Sequence, residues 1–134
     1  MNSNIIKLGK EYLLKSYQFL QDSILNLEHS RFDTSINRAY YSVFHAMCAC
    51  LCIIQISDFK KHSFVIAKFR EAYIKTEKFD KVLSAIIDYL SKYRNECDYN
   101  VAFRADHDAA VKGVDLAKHF YDMISSYINN IKVE

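Results

Sequence analysis

Arg94 stands in the string Tyr93-Arg94-Asn95-Glu96-Cys97-Asp98-Tyr99. A guanidinium is planar and always charged, and its fork matches two phosphate oxygens or the charge that develops at phosphorus. The ordinary alternative is an ion pair with Glu96, Asp98 or another part of the chain, the commoner fate of a surface Arg. Asp98 and Tyr99 offer a carboxylate and a phenol beside it. A general base or acid works best when it titrates near ambient pH. Unperturbed Asp titrates near about 4 and Tyr near about 10, so neither is poised alone. A neighbouring Arg lowers both. In the bland reading, Asp98 makes local backbone bonds at a helix end and Tyr99 packs its ring.

A second group lies earlier in the chain. Asn37, Arg38, Tyr41 and His45 fall on adjoining turns of one helix, the last three on a single face at 3-4 spacing. They supply a cation, a stacking ring and a proton carrier. A buried polar cluster that fixes helix register reads equally well. His45, Cys48 and Cys52 also share a face, but a structural zinc needs a fourth ligand. Cys97 is the obvious donor, and no Cys-x-x-Cys pair is present. These cysteines are read as small core residues, and no metal or cofactor is assigned. His62 follows Lys60-Lys61 at the head of a helix, where a phosphate would be attracted. A solvated first turn accounts for the same residues.

The elements that must hold these groups are helices. Gly occurs twice and Pro never in 134 residues, so breakers are almost absent and long helices are favoured. Ile6, Leu13, Tyr17, Leu20, Ile24 and Leu27 make one stripe of a helix from Asn4 to Glu28. His29 to Asp33 reads as a turn, with Asp33 or Thr34 capping the next helix. That second helix has two stripes. Ile36, Tyr40, Val43, Met47, Cys50 and Ile54 form one, and Tyr41, His45, Cys48 and Cys52 the other, which places it at the centre. Gln55 to Asp58 ends it. A third helix spans Lys60 to Lys75, with Phe64, Ala67 and Tyr73 inward. A fourth carries Phe79, Leu83, Ile86, Leu90, Tyr93 and Cys97. Asp106 caps a fifth carrying Ala110, Val114, Ala117, Tyr121, Ile124, Ile128 and Ile131. The tail from Asn129 to Glu134 is expected to fray. Short connections make neighbours antiparallel, so the fold class is all-α: an antiparallel up-and-down bundle of four to five helices, one domain over residues 1–134.

Net charge is +2, from 18 Lys+Arg against 16 Asp+Glu. Bulk charge therefore gives no case for nucleic-acid binding, and any such site must be local. No signal peptide and no membrane-length apolar run is read, and Cys48, Cys50 and Cys52 crowded in one segment with Cys97 alone form no disulfide framework, so a reducing, cytoplasmic location is expected. A phosphate-cradling Gly-rich loop, a His-Glu-x-x-His helix and a Gly-x-Ser-x-Gly elbow are all missing from the sequence.

Two strings and a linking segment carry a resemblance. Asn37-Arg38-Ala39-Tyr40-Tyr41-Ser42-Val43-Phe44-His45-Ala46, Lys61-His62-Ser63 and the Arg94-x-x-x-Asp98-Tyr99 ending together resemble the HEPN superfamily, in its small stand-alone branch. The resemblance implies a helical bundle that forms a homodimer, with polar motifs from two copies facing a cleft at the seam. It implies metal-independent RNA cleavage in active members, and a minimal nucleotidyltransferase as antitoxin partner. Arg94 matches the motif arginine. The motif histidine would fall at 99, 100 or 101, where this chain has Tyr99, Asn100 and Val101. Under the resemblance, Arg94, Asp98 and Tyr99 are the catalytic candidates, and Asn37, Arg38, Tyr41, His45, His62 and Asn95 line the RNA or nucleotide pocket. The alternative is an interaction module without catalysis, with Tyr99 as the hydroxyl that a nucleotidyltransferase modifies. No membrane association is implied.

Overall fold

Small residues at seven-residue spacing set the first contact of the chain. In the computed structural model, which describes residues 1–133, helix α1 spans Ser3–Glu28 and α2 spans Phe32–Ile53. Gly9, Ser16 and Ser23 on α1 meet Ala49, Ser42 and Ser35 on α2, so the two run antiparallel. A repeat of seven keeps such a stripe facing one partner along a helix. Ser16 Oγ donates to the Ser42 carbonyl at 2.6 Å, and Ser42 Oγ donates back to the Ser16 carbonyl at 2.9 Å. Ser23 and Ser35 repeat the exchange at 2.7 and 2.9 Å. All four serines are fully buried, and each hydroxyl is satisfied across the seam. At Gly9 an added Cβ would lie 3.3 Å from Ile53 Cγ1 and 3.5 Å from the Ala49 carbonyl oxygen, so the backbones approach closely there too.

The rest of the chain wraps α2. Helix α3 (His62–Phe69) runs on into a π-helical turn (Arg70–Ile74), and α4 (Val82–Tyr99) and α5 (His107–Asn129) complete the bundle. Five α-helices and no strand occur among the described residues, the all-α class expected from periodicity. Of the 22 residues of α2, 15 are buried, which is why it reads as two apolar stripes rather than one. Cys48, Cys50 and Cys52 lie within that buried set, and burial pushes the Cys48 thiol up to about 12. They pack as small apolar residues with no thiolate character.

Several local expectations need correction. Asp33 does not cap α2, whose N-cap is Arg31 without a side-chain bond. Asp33 Oδ1 instead accepts from the Ala105 amide at 2.7 Å, tying the α4–α5 connection to the foot of α2. Phe64 and Ala67 face outward; the inward residues are Val65, Phe69 and Tyr73, one every four. The wider π turn keeps Tyr73 in that row, and its hydroxyl donates to the Cys50 carbonyl at 2.6 Å. Phe79 is buried but precedes α4, Ile54 lies just past α2 and is exposed, and Tyr17 is exposed beside Tyr121. Asp106 caps α5 as expected, accepting from the Ala109 amide. Of the tail, Asn129 still belongs to α5 and Ile131 packs on the core, while Glu134 lies outside the described residues.

The helix ends explain how the chain turns with so few glycines. Ser30 and Gln55 each take a left-handed backbone, with φ of 59° and 66°, directly after α1 and α2. Arg31 N donates to the Asn26 carbonyl and Ile56 N to the Leu51 carbonyl, the six-to-one bond of a Schellman ending. Both glycines sit inside helices instead, at close packing contacts.

Candidate functional site

Helix α4 lays Arg94 across α2. The residue follows Leu83, Ile87 and Leu90 at helical spacing, so its stem leaves the core and its head reaches the α2 surface. The Arg94 guanidinium carbon lies 4.9 Å from the Tyr40 ring centroid and 5.6 Å from that of Tyr41. Nη2 donates to the Tyr41 hydroxyl at 3.3 Å. Stacking on two rings holds the charge in place while leaving part of the fork open.

Of the two fates open to Arg94 from sequence, the ion pair is present within the chain. Arg94 Nε lies 3.3 Å from Asp98 Oδ2, one helical turn on. The contact lacks hydrogen-bond alignment, and Nε is a buried donor with no hydrogen-bond partner. Asp98 is the more exposed member, 36% against 20% for the Arg94 side chain. An i,i+4 pair of this kind is worth only about 0.3–0.5 kcal/mol. It neutralises the guanidinium loosely and leaves hydrogen-bonding capacity unused.

Two histidines approach from other elements. His62, the first residue of α3, brings Nδ1 to 2.9 Å from the Tyr40 hydroxyl and stacks on Phe44 with centroids 4.0 Å apart. Burial, then Arg94, then His45 push its pKa below the usual value, so the ring stays neutral beside the guanidinium. His45 Nδ1–H donates to the Tyr41 carbonyl at 2.8 Å, which leaves its other nitrogen unprotonated. Burial lowers its pKa, the backbone bond opposes this, and Lys15 lowers it further. Tyr40 moves the other way: burial raises its pKa and outweighs the pull of Arg94.

The structure thus brings Arg94, Asp98, Tyr41, His45 and His62 into one cluster. Arg38 lies at its edge, its Nε 3.3 Å from Asp22 of α1 and its guanidinium 5.6 Å from the Phe19 ring. Asn37 is half-buried one turn before Tyr41, and Asn95 is exposed on α4. Tyr99 ends α4 and is 81% exposed, away from the packed rings. Sequence reasoning assigned Tyr40 to the core stripe, and its ring is indeed buried; its second task, holding Arg94 and His62, was missed. So were Phe19 and Lys15 of α1, which border the cluster from a helix some twenty residues upstream. No local motif signals them. Among the described residues no group of three His, Cys, Asp or Glu side chains is placed to hold a metal ion.

Residues 10–127 match the model of the HEPN domain. The chain belongs to the HEPN family. A UPF0332 protein of Thermotoga maritima is 29% identical over 126 residues, covering 94% of this chain and 95% of that protein. A protein of Methanocaldococcus jannaschii named "Putative toxin" is 32% identical over 101 residues, 75% of this chain and 68% of its own length. This HEPN chain has no helix long and apolar enough to cross a membrane among its described residues.

Proposed function

We propose that this HEPN chain is the RNA- or nucleotide-binding component of a toxin–antitoxin or defence module, working as a homodimer, with Arg94 as its phosphate ligand. The observation that carries the reading is the state of Arg94. It is held on two tyrosine rings, has a buried Nε without a hydrogen bond, and is countered only by the half-exposed Asp98. A phosphate would pair with the guanidinium charge more fully than the misaligned carboxylate does. The name of the M. jannaschii relative fits such a role.

Metal-independent cleavage of RNA through a 2′-hydroxyl needs a group to take the proton and another to return it. Tyr99 stands where the motif histidine is missing, but its exposure puts it off the ring cluster. Cleavage by this chain therefore depends on Arg94 for positioning, with Asp98 as the nearest carboxylate. The test is RNA binding and cleavage by wild type, Arg94→Ala and Arg94→Lys. Binding should weaken at least tenfold in Arg94→Ala, and only partly recover in Arg94→Lys, which keeps charge but loses the fork. Wild-type protein that binds neither RNA nor nucleotides at low salt would remove the proposal, since phosphate contacts strengthen as salt falls.

The exposure of Tyr99 favours a second reading. Its hydroxyl, at the free end of α4, is accessible to an enzyme that transfers nucleotides. In that reading the HEPN chain is a non-catalytic partner of a minimal nucleotidyltransferase. A nucleotide-sized mass increment on the co-expressed chain, absent in Tyr99→Phe, is the expected sign. Unchanged mass in the presence of that partner and a nucleoside triphosphate would exclude it.

A further inference from the structure

The ring cluster does not stop at Arg94. Tyr41 lies 5.6 Å from the Arg94 guanidinium on one side and 5.8 Å from the Phe19 ring on the other. Phe19 stacks on His45 with centroids 5.0 Å apart and planes within 27°. Two cations lie over the same ring, Lys15 at 5.7 Å and Arg38 at 5.6 Å from its centroid. Phe19 and His45 are both half-buried, so ring surface remains open. Beside it lies a shallow, open depression on α1 lined by Lys15, Gln18, Phe19, Gln21, Asp22 and Leu25.

These features have a common chemical meaning. A ring backed by an imidazole presents a flat apolar face to any nucleobase, and such stacking is indifferent to sequence. The two cations lying over the ring can turn to the phosphates on either side of a base that takes their place. Gln18 and Gln21 each carry an amide donor and acceptor that can meet a base edge. The electrostatics are incompletely balanced. Lys15 makes no ion pair among the described residues, and Arg38 faces Asp22 through a buried Nε that lacks a hydrogen bond. A purely structural seam closes its polar groups on themselves, as the serine pairs of α1 and α2 do.

We propose that Phe19, backed by His45 and overlain by Lys15 and Arg38, is a base-stacking subsite for single-stranded RNA, one ring removed from Arg94. This rests on the reading of Arg94 as a phosphate ligand and extends it. A strand with a phosphate on Arg94 passes over Tyr41 and lays a neighbouring base on Phe19 beside the α1 depression. The preferred ligand is then unpaired RNA of at least two nucleotides, not a mononucleotide and not duplex.

The test is fluorescence polarisation with the full chain, using a labelled single-stranded RNA, the same strand with abasic positions, and a duplex. Wild type should prefer the base-bearing single strand to both others. Phe19→Leu keeps the apolar volume but has no ring face; it should bind that strand about tenfold more weakly and no better than the abasic one. Phe19→Tyr should bind as wild type. Lys15→Ala, an exposed change that leaves the fold intact, should lower the salt slope of binding by about one ion. If Arg94→Ala abolishes binding while Phe19→Leu and Lys15→Ala bind as wild type, this subsite is wrong and the Arg94 reading stands. If the duplex or the abasic strand binds equally well, the stacking role is wrong. If wild type binds none of the three, both fall together.

Discussion

Helix α2 buries polar groups on two sides, and treats them in opposite ways. Toward α1, four serines are fully buried and every hydroxyl both finds a carbonyl and faces its counterpart. Toward α4, a guanidinium lies on two rings with one donor unmet. Buried side-chain donors and acceptors without partners, among the described residues, are Arg38 Nε, Arg94 Nε and Ser91 Oγ, and none belongs to the serine seam. A closed polar seam specifies helix register and does nothing else. An open one leaves a charge incompletely paired, which a bound anion can take up. If Arg94 is a phosphate ligand as proposed, the contrast separates structure from function within a single helix.

The widest gap between the two sides should appear in stability. Ser42→Leu forces a large side chain into a close helix contact and removes the bond from Ser42 Oγ to the Ser16 carbonyl. It should destabilise the chain by about 3–5 kcal/mol in urea unfolding. A loss under about 1 kcal/mol would mean that the seam is looser than described. Arg94→Ala removes two ring contacts and some stem packing, and should cost only about 1–2 kcal/mol. On the proposed reading its larger effect is on RNA binding. Were Arg94→Ala as destabilising as Ser42→Leu, the α4 side would be a structural seam after all.

A smaller effect comes from pH. His62 and His45 have folded pKa values below their ordinary 6.5. The unfolded chain therefore binds protons first as pH falls, and stability drops. Their contribution is complete above the unfolded value of about 6.5 and is lost as pH falls from there through the lower folded values. Urea midpoints at pH 7.5 and 5.5 should show the drop, and His62→Gln should reduce it. An equal pH dependence in that variant would show that the neutral imidazole beside Arg94 contributes nothing.

What was readable in the sequence follows from range. Periodicity is a local property, so the helices and the central place of α2 were legible, with errors at ends such as Phe79 and Asp33 where tertiary bonds decide. The Arg94–Asp98 pair was legible because it lies within one turn. The serine seam left a signal that went unread: Gly9, Ser16, Ser23 and Ser35, Ser42, Ala49 repeat every seven residues, but small polar residues do not register in an apolar stripe. Phe19, Lys15 and Tyr40 were not legible as site residues, since their neighbours come from helices folded back upon them. Of the inward row of α3, Tyr73 was legible, whereas Val65 and Phe69 were not, because Phe64 and Ala67 fit a helical stripe as well.

The smallest change serves as a control outside both seams. Ser30 and Gln55 hold left-handed backbones at helix ends, a conformation that costs a residue with a Cβ about 1 kcal/mol relative to glycine. Ser30→Gly and Gln55→Gly should each raise stability by about 0.5–1 kcal/mol, because the Schellman bonds are made by the backbone and survive the change. Neither residue touches the rings around Arg94. The doubly substituted chain should therefore unfold at higher urea yet bind RNA as wild type does. If its affinity rises with its stability, then the losses in Arg94→Ala and Phe19→Leu report partial unfolding, and the separation between the two sides of α2 disappears. If affinity holds constant while stability rises, losses at Arg94 can be read as lost contacts with the ligand.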